Sequence, residues 1–322
     1  MVLITGGAGF IGYHLTKHLL FLGYEVISID CFTPNYNVTI KKNRISDLIN
    51  LDVGKHLTFF EIDLLNKKKL ERLFVDYDIT DVIHLAAISG VRNSTLSSNY
   101  YIENNIIGFN NIIELCSKIE VNKFLYASSS SVYSNEIEYS LSKESDISIN
   151  NKSIYAFTKK SNEILANTYF NLFNLSSIGL RFFSVYGPNG RPDMSYYLFT
   201  KSILKSQPIY LHNNGECIRD FTYIDDVVIA ISKLLVSNTD NGACIFNLGS
   251  GCPIKIKDLV KEIELIVNVK AEIINSISQK EDAITTGADT ALLQNKYDIT
   301  FDTNIHYGMK RFINWYKNFV VQ

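Results

Sequence analysis

Short apolar runs alternate with amphipathic stretches through the first half of the chain. Six runs have the length and side chains of buried strands, at residues 2–5, 25–30, 57–61, 81–85, 123–128 and 175–183. Apolar residues at helical spacing predict helices between them, at residues 11–22, 65–75, 100–117 and 153–172. This alternation predicts an α/β fold, in which right-handed crossovers join a doubly wound parallel sheet that helices cover on both faces.

The alternation of strand and helix weakens after Tyr186. Pro188, Gly190 and Pro192 indicate a loop, and a helix at 196–206 and a short strand at 209–211 are predicted beyond it. We therefore expect residues 1–185 to form one domain and residues 186–322 to form mainly a smaller second domain. The run at 245–248 is expected to rejoin the main sheet, so the chain would return to the first domain near residues 220–250. The polar segments 37–43 and 135–151 are predicted surface loops.

Composition disfavours several classes of protein. The 322 residues carry a net charge of −2 with no basic excess, so we expect no nucleic-acid partner. No apolar run approaches the ~20 residues of a membrane span, and the first residues lack the pattern of a signal peptide. The cysteine count is odd and no pair has C-x-x-C spacing, so we expect no metal site and free thiols in a reducing cytoplasm.

A glycine-rich loop separates the first strand from the first helix. Gly6, Gly9 and Gly12 suit a tight turn, close approach of a phosphate and close helix packing, and a helix N-terminus attracts a pyrophosphate. Asp30 ends the second strand, where a carboxylate can accept both ribose hydroxyls of adenosine and would repel a 2′-phosphate. Loop and carboxylate together predict a Rossmann-type NAD site, whereas the loop alone could be a structural turn.

Three polar residues near this site have two interpretations each. Asp63 could accept a hydrogen bond from the adenine amino group, or it could cap the helix that follows. Lys41 and Arg44 could meet phosphate or ribose, or they could belong to a solvated surface helix.

A tyrosine and a lysine four residues apart open the predicted helix at 153–172. Tyr155 and Lys159 project to one face. The lysine charge and a positive nicotinamide ring would favour a phenolate, which can take a proton from a substrate hydroxyl. Four serines, Ser128 to Ser131, end the fifth strand at the edge where such sheets bind ligands. A packed Tyr beside a solvated Lys, and serines in a plain loop, are the alternatives.

Further motifs accompany the glycine loop and Tyr155-x-x-x-Lys159. They are His84-Leu85-Ala86-Ala87, Tyr126-Ala127-Ser128-Ser129-Ser130-Ser131-Val132-Tyr133, Arg181-Phe182-Phe183-Ser184-Val185-Tyr186-Gly187-Pro188, Gly190-Arg191-Pro192-Asp193-Met194, Arg219-Asp220-Phe221-Thr222-Tyr223-Ile224-Asp225-Asp226 and Phe246-Asn247-Leu248-Gly249-Ser250-Gly251. Over essentially the whole chain, these segments resemble the extended short-chain dehydrogenase/reductase family, and within it the NAD-dependent sugar-nucleotide epimerases and dehydratases. The chain is most similar to members that epimerise UDP-glucuronate at C4.

The resemblance implies an NAD-binding Rossmann domain at residues 1–185 and a sugar-nucleotide-binding domain at residues 186–322. It also implies which residues bind NAD, namely Gly6, Gly9, Phe10, Ile11, Gly12, Asp30, Lys41, Asp63, Leu64, Leu85, Ala86, Ala87, Asn105, Tyr155 and Lys159. Among them Asn105, which forms an Asn-x-x-Gly pattern with Gly108, would have a structural role near the cofactor.

The resemblance also assigns catalytic and substrate-binding roles. Tyr155 would be the base, Lys159 its partner, and Ser129 the hydroxyl that holds the reacting oxygen. Arg219 would bind the diphosphate and Asp282 the uridine ribose, although Glu281 precedes Asp282 where the family usually has Gly. The other implied substrate-binding residues are Arg92, Ser130, Ser131, Ser184 and Arg191. Hydroxyls there would hold a uronate carboxylate without a proton donor at C5.

The implied reaction converts UDP-glucuronate to UDP-galacturonate through a transient 4-keto sugar, with NAD regenerated in each cycle. The alternatives are a 4-epimerase of a UDP-hexose or UDP-N-acetylhexosamine, a UDP-glucuronate decarboxylase, or a non-catalytic NAD-binding regulator. Decarboxylase relatives typically have Glu in the Ser130-Ser131 motif, and silent relatives usually lose the Tyr or the Lys. Relatives dimerise through the helices at 100–117 and 153–172, so we expect a homodimer, although these apolar faces could instead cover the sheet. A role in polysaccharide biosynthesis is expected from the substrate class.

Overall fold

The computed structural model describes residues 1–133, 141–146, 153–238, 241–276 and 285–320, without the side chains of residues 92 and 93. The strands are β1 (Val2–Thr5), β2 (Val26–Asp30), β3 (Leu57–Glu61), β4 (Asp81–His84), β5 (Lys123–Ser129), β6 (Ser177–Phe182), β7 (Ser184–Tyr186), β8 (Ile209–His212), β9 (Ile218–Arg219), β10 (Phe221–Tyr223), β11 (Ala243–Leu248), β12 (Ile254–Lys255) and β13 (Ile273–Ser276). The helices are α1 (Phe10–Phe21), α2 (Val38–Ile49), α3 (Lys67–Asp76), α4 (Val91–Ser94), α5 (Ser98–Ile102), α6 (Gly108–Lys118), α7 (Ile154–Phe173), α8 (Ser195–Leu204), α9 (Ile224–Val236), α10 (Ile256–Val267), α11 (Ala291–Tyr297) and α12 (Ile305–Phe319).

Seven strands form the main sheet in the spatial order β11-β6-β5-β4-β1-β2-β3. β1 pairs in parallel with both β2 and β4, so the strand order reverses direction at this point. In such sheets ligands bind beyond the carboxyl ends of the strands at the reversal. The predicted doubly wound parallel sheet is confirmed, and so is the return of residues 245–248 to it, since β11 lies at its edge beside β6.

Two predicted segments differ from the structure. Residues 37–43, predicted as a surface loop, mostly belong to α2, because Asn37 caps the helix by accepting the Thr39 N–H at 3.0 Å. The predicted helix at 100–117 is interrupted by a π-helical turn at Glu103–Ile107, and such turns often lie at functional sites. Most of the predicted loop at 135–151 lies outside the described residues.

The chain divides into two compact units. Unit 1 comprises Met1–Val132, Ser148–Arg181 and Val228–Phe246. Its core packs side chains of the central strands against α6, with Leu3, Ile27, Val82, Phe109 and Phe124 all buried. Burial of such a layer on both faces explains why these strands are almost continuously apolar.

Unit 2 comprises Tyr133–Ile147, Phe182–Val227 and Asn247–Gln322. Three small sheets pair β7 with β10, β8 with β13 and β9 with β12. Aromatic rings fill much of its core; the Tyr196 ring lies 4.9 Å from Phe312 and the Tyr197 ring 5.1 Å from Tyr316. The assignment of units 1 and 2 to cofactor and sugar nucleotide stays a prediction. Among the described helices, none is both long and apolar enough to cross a membrane.

Candidate active site

The glycine loop is shaped by contacts that leave no room for side chains. Gly6 has a φ of +73°, a conformation that favours glycine. The N–H groups of Gly6 and Gly7 both donate to the Ile29 carbonyl, at 2.8 and 3.2 Å. A Cβ on Gly12 would lie 2.2 Å from the Gly6 carbonyl oxygen. The third glycine therefore serves the packing of α1 on the loop.

The N-terminus of α1 is open to an anion. Gly9 is the N-cap, no side chain caps the helix, and the first turn carries no acidic residue. The first-turn N–H groups and the helix dipole can then bind a phosphate. The loop also holds Asp30, which accepts the Ala8 N–H at 3.1 Å and the Phe32 N–H at 2.8 Å. Loop, open helix end and carboxylate fit a dinucleotide of the NAD type.

The three ambiguous polar residues have distinct positions. Lys41 is buried and donates to the carbonyl and hydroxyl of Thr33, at 2.8 and 3.0 Å. Arg44 is 1% exposed and donates to the Ala8 carbonyl at 2.9 Å, so it holds the glycine loop in place from α2. A solvated surface position is wrong for both. Asp63 accepts the Leu65 N–H at 2.8 Å, while Asn66 is the N-cap of α3, so the helix-cap interpretation of Asp63 is wrong.

The segment after β4 is tied to the glycine loop. Leu85 N–H donates to the Thr5 carbonyl at 3.1 Å, and Ala86 N–H donates to the Thr5 hydroxyl at 3.2 Å. A Cβ on Gly6 would lie 2.7 Å from the Ala86 nitrogen. Leu85 and Ala86 therefore lie directly beside the loop, as their predicted contact with the cofactor requires.

Asn105 links this segment to the helix of the candidate base. The buried Asn105 amide accepts the Ile88 N–H at 2.8 Å and donates to the Ile88 carbonyl at 2.9 Å. It also donates to the Thr158 hydroxyl at 3.2 Å, on α7. Gly108 contributes by packing closely on Leu64, since a Cβ there would lie 3.1 Å from the Leu64 Cβ. The Asn-x-x-Gly pattern thus serves a structural purpose near the predicted cofactor site.

Tyr155 and Lys159 lie together in the first turns of α7. Ser153 caps the helix by accepting the Ala156 N–H at 3.1 Å. The Lys159 ammonium lies 6.0 Å from the centre of the Tyr155 ring and donates to the Ala127 carbonyl of β5 at 2.8 Å. Burial lowers the pKa of Lys159 to about 8, so at neutral pH most molecules keep the positive charge. An ammonium in this position favours the phenolate of Tyr155.

The predicted serines follow at the end of β5. Ser129 is half-buried, and its hydroxyl accepts the Ser131 N–H at 3.1 Å. The Ser131 hydroxyl is buried and has no hydrogen-bond partner among the described residues. Ser130 is also half-buried. Since buried hydroxyls are normally bonded, an orphan hydroxyl suits a position that binds a ligand oxygen.

In unit 2 a buried carboxylate lies next in sequence to the predicted substrate residue Arg219. Asp220 accepts the Ser250 and Gly251 N–H groups at 2.7 and 3.0 Å, and the Ala288 N–H at 3.0 Å. Its neighbour Arg219 is half-buried and donates to the Ile218 carbonyl at 2.8 Å.

Two more of the predicted residues have defined partners. Ser184 opens β7 and donates its N–H to the Asp220 carbonyl at 2.9 Å. Arg191 forms a two-pronged ion pair with Asp193, at 3.1 and 2.6 Å. The Arg92 side chain and Asp282 lie outside what the structure describes.

Comparison with known proteins places the chain in a family. The profile of the NAD dependent epimerase/dehydratase family matches residues 2–249. The chain belongs to this family. Protein CapI from Staphylococcus aureus is 39% identical to it over 98% of each chain. UDP-glucuronate 4-epimerase from Thermodesulfobacterium geofontis is 37% identical over 98% of this chain and 95% of its own.

The fold of this epimerase/dehydratase also matches solved structures. UDP-glucuronic acid 4-epimerase from Bacillus cereus, in complex with UDP-glucuronic acid and NAD, has a TM-score of 0.91 and 32% identity. The match covers 98% of this chain and 99% of that one. The family and fold predicted from the sequence motifs are confirmed.

Sequence reasoning missed several buried polar residues around the family's motifs. In unit 1 these include Thr5, Glu163, and the motif residues His84 and Arg181, to which no role was assigned; Thr5 Oγ1 lies 2.9 Å from His84 Nδ1, and Glu163 pairs with Arg181. In unit 2 Asp220 was noted only as part of a motif. Glu163 left one signal in the sequence, because it continues the four-residue spacing of Tyr155 and Lys159. No sequence pattern indicated the role of Asp220, because the N–H groups that donate to its carboxylate come from segments distant in the chain.

His84 should make the stability of this family member depend on pH. Burial, reinforced by the charge of Lys159, lowers the pKa of His84 from 6.5 to about 3. Below pH 6.5, His84 is therefore protonated in the unfolded chain, whereas it stays neutral in the folded chain until the pH approaches 3. Above pH 6.5 the protonation of His84 does not reduce the free energy of unfolding. Below it, the free energy of unfolding falls by about 1.4 kcal/mol per pH unit as the pH drops towards 3.

Urea unfolding at pH 7 and pH 5 measures this effect. From pH 6.5 to pH 5, the His84 contribution amounts to about 2 kcal/mol. His84→Asn, which can still accept from Thr5, should show a flatter pH dependence by that amount. His306→Asn, at an exposed histidine that contacts Glu262, is the control and should keep the wild-type slope. Equal slopes in the wild type and His84→Asn would contradict the assignment.

Proposed function

We propose that the protein is an NAD-dependent 4-epimerase that converts UDP-glucuronate to UDP-galacturonate. One observation carries the proposal: α7 places a charged lysine beside a tyrosine at the end of β5. This arrangement suits the removal of a proton from a sugar hydroxyl next to a bound dinucleotide. Similarity to UDP-glucuronate 4-epimerases over nearly the whole chain supports the substrate.

In the proposed mechanism Tyr155, as phenolate, takes the proton of the sugar 4-hydroxyl. Lys159 stabilises the phenolate by its charge, and the Ala127 carbonyl holds the ammonium in place. Ser129 holds the reacting oxygen. The glycine loop and Asp30 would hold NAD, which would supply a reversible hydride acceptor at C4. Tyr155 then gives the proton back.

The sugar must turn between the two hydride transfers without leaving the protein. We assign the diphosphate to Arg219, so that the nucleotide stays bound while the 4-keto sugar rotates about its link to the phosphate. Binding energy from a part of the substrate that does not react is thereby used at the reacting carbon. The remaining residues proposed to contact the substrate are Arg92, Arg191 and Asp282.

A uronate substrate sets a second requirement. The 4-keto form of a uronic acid is a β-keto acid, which loses carbon dioxide readily. We assign the carboxylate to the hydroxyls of Ser130, Ser131 and Ser184, which bind it as neutral donors. The orphan hydroxyl of Ser131 supports this assignment. A carboxylate at the same position, as in the decarboxylase alternative, would repel the substrate's own charge.

A panel of UDP-sugars tests the proposal. Purified protein with its NAD, but no added NAD, is given UDP-glucuronate, UDP-glucose and UDP-N-acetylglucosamine, and products are followed by NMR. We expect UDP-galacturonate and no carbon dioxide. A UDP-pentose with release of carbon dioxide would favour the decarboxylase, and turnover of the neutral sugars alone would favour the other epimerases. No turnover on any sugar would favour the NAD-binding regulator.

We further propose that two copies associate through α6 and α7. Apolar side chains stay exposed on α7, including Ile164 at 61% and Leu172 at 69%. Ile107 and Ile119, which flank α6, are also exposed. These faces are not buried against the sheet, so they are available for a four-helix contact between two copies. Sedimentation of the same protein preparation should give the mass of a dimer, and a monomer mass would exclude it.

A further inference from the structure

Glu163 lies on the helix of the candidate base, two turns beyond Tyr155, and forms a buried ion pair with Arg181. The Glu163 carboxylate of α7 accepts two hydrogen bonds from Arg181 of β6, at 2.8 and 2.9 Å, and both side chains are buried. The first of its oxygens also accepts the Ser128 hydroxyl at 2.7 Å, and the second accepts Lys160 at 3.1 Å. Four donors thus satisfy the carboxylate.

Such a cluster indicates that a particular geometry is required. Burial alone raises the pKa of Glu163, but the hydrogen bonds and charge of Arg181 outweigh it and hold that pKa below its usual value. The pair is therefore ionised at neutral pH. A buried ion pair adds little net stability compared with apolar residues, and its best-attested use is to fix how elements register on each other.

The cluster acts at the same two elements as the candidate base. Tyr155, Lys159 and Glu163 follow each other at four-residue intervals, so they lie along one face of α7. Lys159 bonds to Ala127 of β5, and Glu163 bonds to Ser128, the next residue of that strand. Two contacts one helical turn apart thus hold α7 on the end of β5, directly before Ser129.

We propose that Glu163 is a positioning residue, which fixes the register of α7 on β5 through Ser128, with Arg181 of β6 as its ion-pair partner, and thereby keeps the Lys159 ammonium bonded to Ala127 at its place beside the Tyr155 ring. Its kinetic consequences rest on the proposed function. Two other ionisable groups, on α5 and β4, lie near Tyr155 and Lys159. Tyr101 of α5 lies edge-on to the Tyr155 ring at 6.4 Å, and His84 of β4, which stays neutral, is close enough to Lys159 to interact with its charge.

Ser128→Ala tests the proposal without leaving the buried Glu163 carboxylate unpaired, because its ion pair with Arg181 remains. We expect kcat to fall by roughly tenfold to a hundredfold, with NAD binding unchanged, since small displacements of a catalytic group have such effects. Tyr155 should also ionise at a pH higher by roughly one unit, because the ammonium is less well placed. Ser177→Ala is the matched control: Ser177 is a buried serine of β6 whose hydroxyl has no partner among the described residues.

The ionisation is measured on the NAD-loaded protein as the tyrosinate absorbance difference between each variant and the same variant carrying Tyr155→Phe. A second variant, Glu163→Gln with Arg181→Met, removes the pair together and should change both readouts in the same direction. Wild-type kcat and wild-type Tyr155 ionisation in Ser128→Ala would overturn the proposal. Because the absorbance titration needs no substrate, it decides the positioning role even if no UDP-sugar is turned over.

Discussion

Replacing Tyr155 with phenylalanine should lower kcat for UDP-glucuronate by about a thousandfold, because a positioned acid–base group contributes on that scale. The substitution removes one oxygen and keeps the ring, which packs edge-on against Tyr101. Fold and cofactor binding should therefore stay intact. Steady-state kinetics with NMR detection of UDP-galacturonate measure the loss, and the NAD content of the purified protein measures retention of the cofactor.

A neighbouring aromatic residue of α7 provides the control for Tyr155→Phe. Phe157 is exposed at 44%, two residues along the same helix, so Phe157→Leu alters the helix surface without touching Lys159. It should keep wild-type kcat. Turnover of Tyr155→Phe within about tenfold of the wild type would show that another group is the base.

Gly12→Ala should cost about 3 kcal/mol of stability or more and abolish NAD binding, because the added methyl meets fixed backbone. Its Cβ would lie 2.2 Å from the Gly6 carbonyl oxygen and 2.9 Å from the Gly7 Cα. Neither atom can move without changing the loop that is proposed to hold the pyrophosphate. Helix propensity alone would favour Ala by about 1 kcal/mol, so the predicted loss opposes the usual trend.

Gly242→Ala is the matched control for this substitution. Apart from its two chain neighbours, no heavy atom of the described residues lies within 4 Å of a Cβ at that position. Its free energy of unfolding should stay within about 0.5 kcal/mol of the wild type, as for most surface changes. Urea unfolding and isothermal titration with NAD compare the two variants. A stable Gly12→Ala protein that binds NAD normally would refute the packing role of Gly12.

The cofactor side of the site was largely predictable because its residues are local in sequence. A Cβ on Gly9 or Gly12 would meet the backbone of Gly6, and Asp30 ends β2, which pairs with the strand that precedes the loop. Tyr155 and Lys159 are one helical turn apart. In each case a spacing of a few residues determines the geometry, so a motif is enough to locate it.

The polar segment after Asp30 shows where prediction from sequence failed. Residues 37–43 have few apolar positions, and the helix that they begin is stabilised by the Asn37 cap and by buried polar side chains. A solvated position for Lys41 and Arg44 was wrong, because both are buried against Thr33 and Ala8, whereas their contact with a ligand stays a prediction. A buried cation has the same sequence signature as a solvated one.

The sequence by itself determined the alternation of strands and helices, and it located the glycine loop and the pair of Tyr155 and Lys159. Those features follow from hydrophobic period and short spacing. Only the tertiary structure decided which polar residues hold them in place. Glu163 meets Ser128 and Arg181, and Asp220 meets backbone groups of two distant segments, because folding brings together atoms separated by many residues. Such partners are chosen by burial and by the need to satisfy every buried polar group, which no local pattern records.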